Sequence, residues 1–507
     1  MSGRRVLAIG LDGYELSLAE RWIAEGLLPE MRRLRDRSAR FLLDHGHDKY
    51  SGLAWEHVST GRTPAALERW SAVRFDPSSY GLAQEPTVSA PFLADLACAS
   101  VIFDLPYCDL SLAPRLRGLT SWGAHDPGVA PASRPHDLHA EIARRFGPYP
   151  ASEHVYGFYW QSAARTRLAA AALARAVDCR AAAARWLLAE RCPDWDLGVV
   201  VVSEAHSAIE AMWHGVDRAH PLHGLPSAAA AGEGLRRVYA AIDALVGALG
   251  SAFPDAAVLL FSMHGMGANE ADVAGMVLLG ELLHRASFGT PWLRQPEWRA
   301  RTAQGVPLLA EDEDWHSVMM SAVPMAAAIP ASNLDWMPAA RYRVHWPAMP
   351  AFALPAYYDG RVRINLQGRE GRGVVPLARY QAVRDEVAAL VRECRDPLRG
   401  ESVVAEVHHP GKHPYQIGPT ESDLTILWRG APLGLVHPRL GTIGPVPFRR
   451  TGGHTGGWGF AYLAGTEAPQ GDHGVASSFD VVPTLVELLG ERVSGRVSGR
   501  PLLARGG

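Results

Sequence analysis

Five short segments, spread along a chain of 507 residues, hold the side chains best suited to chemistry. They read Leu-Asp12-Gly, Ala-Trp-Glu56-His57-Val-Ser-Thr-Gly, Glu-Ala-His206-Ser-Ala-Ile-Glu210, Phe-Ser-Met263-His264-Gly-Met and Gly-Gly-His454-Thr. Their carboxylates and imidazoles are the usual oxygen and nitrogen donors for divalent metals. His206 and Glu210 are four residues apart, so a helix would put both on one face. Asp12 follows a short apolar run and precedes glycine, a position that suits either a ligand or an Asx turn. His454 sits between glycine pairs, in a backbone that permits close approach of a ligand.

These segments need a scaffold, and the hydrophobic pattern supplies one. Val6–Leu11, 196–202 and 256–261 read as buried strands, each ending at or near one of the segments. Between them, 16–37 (broken at Pro29), 164–191 and 233–249 carry helical periodicity. Strand and helix alternating in this rhythm predict an α/β fold: a mostly parallel central sheet with helices on both faces. The pattern changes after Leu283, where 288–358 is rich in proline and tryptophan. Later come a strand at 361–366, a helix at 379–395, a strand at 422–428 and a helix at 479–490. The expected division is a core of residues 1–284 and 421–507 with a smaller cap inserted at 285–420.

Bulk composition narrows the function. A net charge of −3 gives no reason to expect nucleic acid or an anionic membrane surface as partner. The cations are nearly all arginine, Lys49 and Lys412 being the only lysines, which reads as codon usage. Five cysteines without C-x-x-C spacing argue against a disulfide framework or thiolate zinc site. No stretch approaches the roughly twenty apolar residues that span a bilayer, and the short N-terminal apolar run is no signal segment. A cytoplasmic protein is the expectation; oligomeric state is not legible.

In content and order the five segments resemble the metal-binding motifs of the alkaline phosphatase superfamily, in its type I phosphodiesterase/nucleotide pyrophosphatase branch. Leu-Pro-Glu-Met-Arg-Arg-Leu at 28–34, Ser-Thr-Gly-Arg-Thr-Pro at 59–64 and Pro483-Thr-Leu-Val-Glu-Leu-Leu-Gly are also similar to members of that branch. The resemblance implies an alkaline phosphatase-like sheet and two divalent ions, with zinc foremost and manganese or iron as alternatives. It places His206, Glu210 and His454 around one ion and Asp12, Glu56 and His264 around the other. Three positions depart from the family pattern. Met263 replaces an aspartate, His206 and Glu210 exchange ligand types, and Glu56 occupies the slot of the Thr or Ser nucleophile. Glu56 stays open between ligand, general base and a residue without a role, and His57 reads as structural. His125, Arg449 and Arg450 are candidates for gripping an anionic substrate.

The resemblance therefore implies a metal-dependent hydrolase of a small-molecule phosphate mono- or diester, or a related sulfate or phosphonate ester. With Glu56 in the nucleophile slot, a metal-bound hydroxide is the expected attacking group. Two alternatives stand beside it: a non-hydrolytic metalloenzyme on the same scaffold, iron-dependent and oxidative, and a pseudoenzyme that binds without reacting.

Overall fold

Aliphatic and β-branched runs build the middle of a nine-stranded sheet in the computed structural model, which describes residues 5–123, 129–155, 159–325, 331–492 and 497–505. In chain order its strands are β1 (Val6–Leu11), β2 (Ala39–Asp44), β3 (Ser100–Phe103), β4 (Arg117–Thr120), β5 (Ala132–Arg134), β6 (Leu197–Val202), β7 (Ala257–His264), β8 (Trp458–Ala464) and β9 (Gly471–Ser477). They lie in the order β9-β2-β8-β7-β1-β6-β3-β4-β5. β1 runs parallel to β6 and β7, β3 to β6 and β4, and β2 to β9. β8 is antiparallel to both β2 and β7, and β5 to β4. The sheet is thus mostly parallel, as the strand–helix rhythm predicts.

Every residue of β1, β6 and β7 is buried, because helices cover both faces. Leu7, Ile9 and Leu11 pack with helices Leu16–Ala24, Ala163–Trp186 and Ser227–Ala252. Val6 and Ala8 point the other way, toward helices Ala54–Thr60 and Val481–Leu488. The period of two along the strand thereby separates two cores.

A second, four-stranded antiparallel sheet orders Ala351–Leu354, Gly360–Ile364, Leu424–Trp428 and Val404–His408. Two features of this small sheet reach beyond residues 285–420. Strand Leu424–Trp428, assigned to the core from sequence, pairs inside this small sheet. Its apolar cluster also draws in Phe75 and Leu82 from the hairpin Val73–Asp76/Gly81–Gln84 and Val277 from the segment before Leu279–Phe288. Strand pairing over long sequence distances decides these boundaries, and a composition shift does not report it.

Deep in the core, Arg180 donates from Nη1 to Asp104 Oδ2 at 2.8 Å and from Nη2 to Glu204 Oε1 at 2.8 Å. All three side chains are fully buried. Asp104 also accepts from the backbone N–H groups of Trp122 and Gly123, so the network is well satisfied. Glu204 opens helix Glu204–Met212, and the guanidinium fixes where that helix leaves β6. Replacing Arg180 with methionine leaves two buried carboxylates without their cation. The expected loss is about 3–5 kcal/mol of stability, read as a lower urea midpoint at unchanged slope.

Burial also makes the fold acid-sensitive. His214, whose Nε2 meets Ser227 Oγ at 3.1 Å, is pushed down to about 3, and His220 to about 4, in each case chiefly by desolvation. Unfolding returns both to near 6.5, so the unfolded chain binds protons that the folded chain refuses. Stability is therefore full above about 6.5 and falls as pH drops toward the folded values. Removing one such group by His214→Asn should flatten the stability–pH slope by up to about 1.4 kcal/mol per pH unit, the limit approached near pH 5, measured by urea unfolding between pH 7 and 5.

Candidate functional site

Three strand ends deliver most of the predicted donors to one edge of the sheet. Asp12 follows β1, the helix carrying His206 and Glu210 follows β6, and His264 is the last residue of β7. His454 arrives on a separate short strand, Gly452–Gly453, which pairs with Gly267–Ala268 just beyond β7. Thr451 N–H donates to the Glu210 carbonyl at 2.9 Å, holding that strand against the His206 helix. A Cβ on Gly452 would lie 2.3 Å from the Ile209 carbonyl oxygen, so only glycine permits the approach.

The result is a tight donor group. One ligand atom from each of His206, Glu210 and His454 lies within 4.8 Å of the others. His206 Nε2 is 2.8 Å from His454 Nε2 and 3.2 Å from Glu210 Oε1. Donors held about 2.0–2.1 Å from a tetrahedral ion stand about 3.3 Å apart, so this trio fits a single cation. Burial, followed by the neighbouring imidazoles His264 and His206, holds His454 well below the usual histidine range. The neutral imidazole so favoured is the form that ligates metal.

The surrounding groups aim these donors. Asp12 Oδ2 stands 3.3 Å from His206 Nδ1, the carboxylate–imidazole arrangement that turns the opposite ring nitrogen toward a metal. Tyr358 OH donates to Glu210 Oε1 at 3.0 Å and stacks its ring on His454 at 4.5 Å between centroids. Arg450 Nη1 donates to the Tyr358 hydroxyl at 2.9 Å and pairs directly with Glu210. His264 Nδ1 faces the Gly265 carbonyl at 3.0 Å, which places the proton on Nδ1 and the lone pair on Nε2. Burial pushes its pKa down to about 4, and its ring lies 4.5 Å from that of His454.

The second expected trio is only partly assembled. Asp12 and His264 line a common cavity with His206 and His454, but Glu56 is not among its lining residues. Glu56 Oε1 instead pairs with Arg69 Nη1 at 3.2 Å, in a buried contact. Burial raises the Glu56 pKa, and the Arg69 charge opposes that rise. Of the three residues expected around the second ion, Glu56 is thus the one that does not line the cavity. Trp55 takes the cavity-facing position of helix Ala54–Thr60, and the next side chain is rotated away by about 100°. His57 meets His45 instead, Nδ1 to Nε2 at 3.1 Å, inside the protein.

Arg449 and Arg450 do line the cavity, yet each already holds a carboxylate. Arg449 Nη1 lies 3.0 Å from Asp272 Oδ2, and Arg450 is bound to Glu210 as above. His125 lies outside the described residues. The cavity of about 560 Å³ also carries residues that sequence patterns did not single out. Lys49 donates to the Gly456 carbonyl at 2.7 Å, its pKa lowered by burial. Its signal was rarity, as one of two lysines. Trp55, Tyr107, Trp336 and Tyr357 form aromatic walls. Trp55 rests on the backbone of β1, where a Cβ at Gly10 would come within 2.5 Å of the indole.

Two substitutions separate the groups. Asp12→Asn should weaken Zn²⁺ binding by roughly 10–100-fold, whereas Glu56→Gln should leave it unchanged. Calorimetric metal titration of the chelated protein measures both.

No family model matches the sequence, and no curated protein matches it either. Solved structures do. Phosphonoacetate hydrolase from Sinorhizobium meliloti 1021, in complex with phosphonoacetate, aligns over 96% of this chain and 96% of its own at 15% identity, with a TM-score of 0.52. The same enzyme with phosphonoformate gives 15% identity, the same coverage and a TM-score of 0.49. Murine ectonucleotide pyrophosphatase/phosphodiesterase 5 in complex with AMP aligns over 98% of this chain and 97% of its own at 11% identity, with a TM-score of 0.47. Among the described residues, no helix is long and apolar enough to cross a membrane. The chain has the alkaline phosphatase-like fold that the resemblance implies.

Proposed function

We propose that the protein is a metal-dependent hydrolase of a small-molecule phosphate or phosphonate ester. The observation that carries this reading is the convergence of His206, Glu210 and His454 donors, with His206 and His454 lining a cavity that also presents Lys49. A divalent ion held by those three residues would supply Lewis-acid polarisation of the ester and lower the pKa of a ligated water. Zinc suits two imidazoles and a carboxylate best, with manganese or iron as alternatives. The identity of the shared fold with that of phosphonoacetate hydrolase supports the same class of chemistry.

The chain's own groups account for the remaining steps. Asp12 orients His206, and Tyr358 with Arg450 holds Glu210, so the three donors keep their geometry between turnovers. The Lys49 ammonium faces the cavity and attracts the anionic end of a substrate. Aromatic walls exclude water and favour an ester with an apolar or aromatic group. Among the described residues, no Ser, Thr or Cys lines the cavity, which supports direct attack by water.

A second reading concerns Ser51, one residue before the cavity-lining Gly52. Its Oγ donates to the Asp48 carbonyl at 2.6 Å and accepts from Leu53 N–H at 3.1 Å. Service as a covalent nucleophile would require that hydroxyl to leave its turn.

Hydrolysis of p-nitrophenyl phosphate, bis(p-nitrophenyl) phosphate and a p-nitrophenyl phosphonate tests the proposal. Activity should vanish on chelation and return with Zn²⁺ or Mn²⁺. His454→Ala should lower kcat/KM by roughly 10²–10⁴-fold, the equivalent of several kcal/mol. Rapid-quench experiments should trap no phosphoryl-enzyme, and Ser51→Ala should keep most activity; a trapped adduct lost in that variant would establish the second reading. Inertness across the panel with metal bound would overturn both.

A further inference from the structure

Outside the cavity, a second group of donors joins the core to the small sheet. Strand Val404–His408 is an edge strand of that sheet, and its alternation puts Glu406 and His408 on one face. His47 comes from the core, on the single 3₁₀ turn Gly46–Tyr50. The imidazoles of His47 and His408 lie 5.0 Å apart between ring centroids, and His408 Nε2 is 2.8 Å from Glu406 Oε2. One ligand atom from each of the three lies within 4.8 Å of the others, and all three residues are exposed. A cavity of about 290 Å³, lined in part by His47, Asp48 and His408, adjoins the group and leaves room for water ligands.

An ordinary surface ion pair does not explain this arrangement. Such a pair contributes little to stability and needs only one histidine. Here a second imidazole, from a different part of the fold, is brought against the first where no apolar burial rewards the contact. Two imidazoles and a carboxylate on one side of an open position form a donor set for zinc, nickel or copper rather than magnesium or calcium.

We infer that His47, Glu406 and His408 form a second, solvent-facing site for a divalent transition metal, which staples the edge of the small sheet to the turn that carries Lys49 into the cavity. The staple acts over a short path. His47 and Lys49 share one turn, and Gly52 of the cavity wall lies three residues further on. Fixing that turn fixes where the Lys49 ammonium stands. Because the site is open to solvent, an ion reaches it without the cavity opening.

The test is Zn²⁺ titration of the full chain by calorimetry, with Cu²⁺ paramagnetic resonance to count nitrogen ligands. Wild-type protein should bind one equivalent more than His47→Ala, Glu406→Gln or His408→Ala. His454→Ala, which removes a donor from the cavity trio, should retain that extra equivalent, and so should His409→Ala. Zn²⁺ should raise the Tm of His454→Ala protein and fail to raise that of the His47→Ala/His454→Ala double variant. An unchanged stoichiometry in all three ligand variants, or loss in His408→Ala but not in His47→Ala, overturns the bridge. The His47, Glu406, His408 and His409 substitutions lie at exposed positions, and circular dichroism confirms that each variant, His454→Ala included, is folded before titration.

Discussion

The site depends on the register of three parallel strands. β1 is paired on both sides, with Leu11 opposite Val202 of β6 and Gly10 opposite Phe261 of β7. The strands therefore end nearly level, and whatever follows each of them emerges at the same edge. This is where open α/β sheets place ligands, because helices crossing behind the sheet leave the carboxyl ends uncovered. A slip of one residue would turn every side chain of β1 to the opposite face and would be opposed by the whole two-sided core.

That edge takes polar groups out of water, at a desolvation cost that their mutual contacts offset. Two imidazole nitrogens stand 2.8 Å apart, and a buried carboxylate accepts from a tyrosine while paired with an arginine. Such a cluster is held by elements fixed elsewhere. The helix start is fixed by Arg180, the Gly452–Gly453 strand by its pairing with Gly267–Ala268, and the loop after it by the contact with Lys49. The organisation belongs to the scaffold, which is the condition for electrostatic stabilisation without reorganisation.

Much of this could be read from residue order. The three buried strands, the helices between them and the shared helical face of His206 and Glu210 follow from periodicity. His264 lies on β7 itself, where a strand was expected to stop three residues earlier. For Glu56 a motif offset does not tell which face of a short helix meets the cavity; Trp55 takes that face, and Arg69 partners the glutamate. Lys49 escaped notice because its turn has no periodicity to align. The make-up of the small sheet is topological and was not legible: it recruits Leu424–Trp428, and its core takes in a hairpin some 350 residues earlier in the chain.

The indole of Trp55 lies on the bare backbone of Gly10 and at the same time forms part of the cavity wall. The width available to a guest is therefore governed from underneath, by a position that no guest can touch. A single methyl group at residue 10 would lift the ring into the void and narrow it for bulky guests, while a smaller side chain at 55 would deepen the floor. Size discrimination in this protein can thus be retuned without altering a single donor atom.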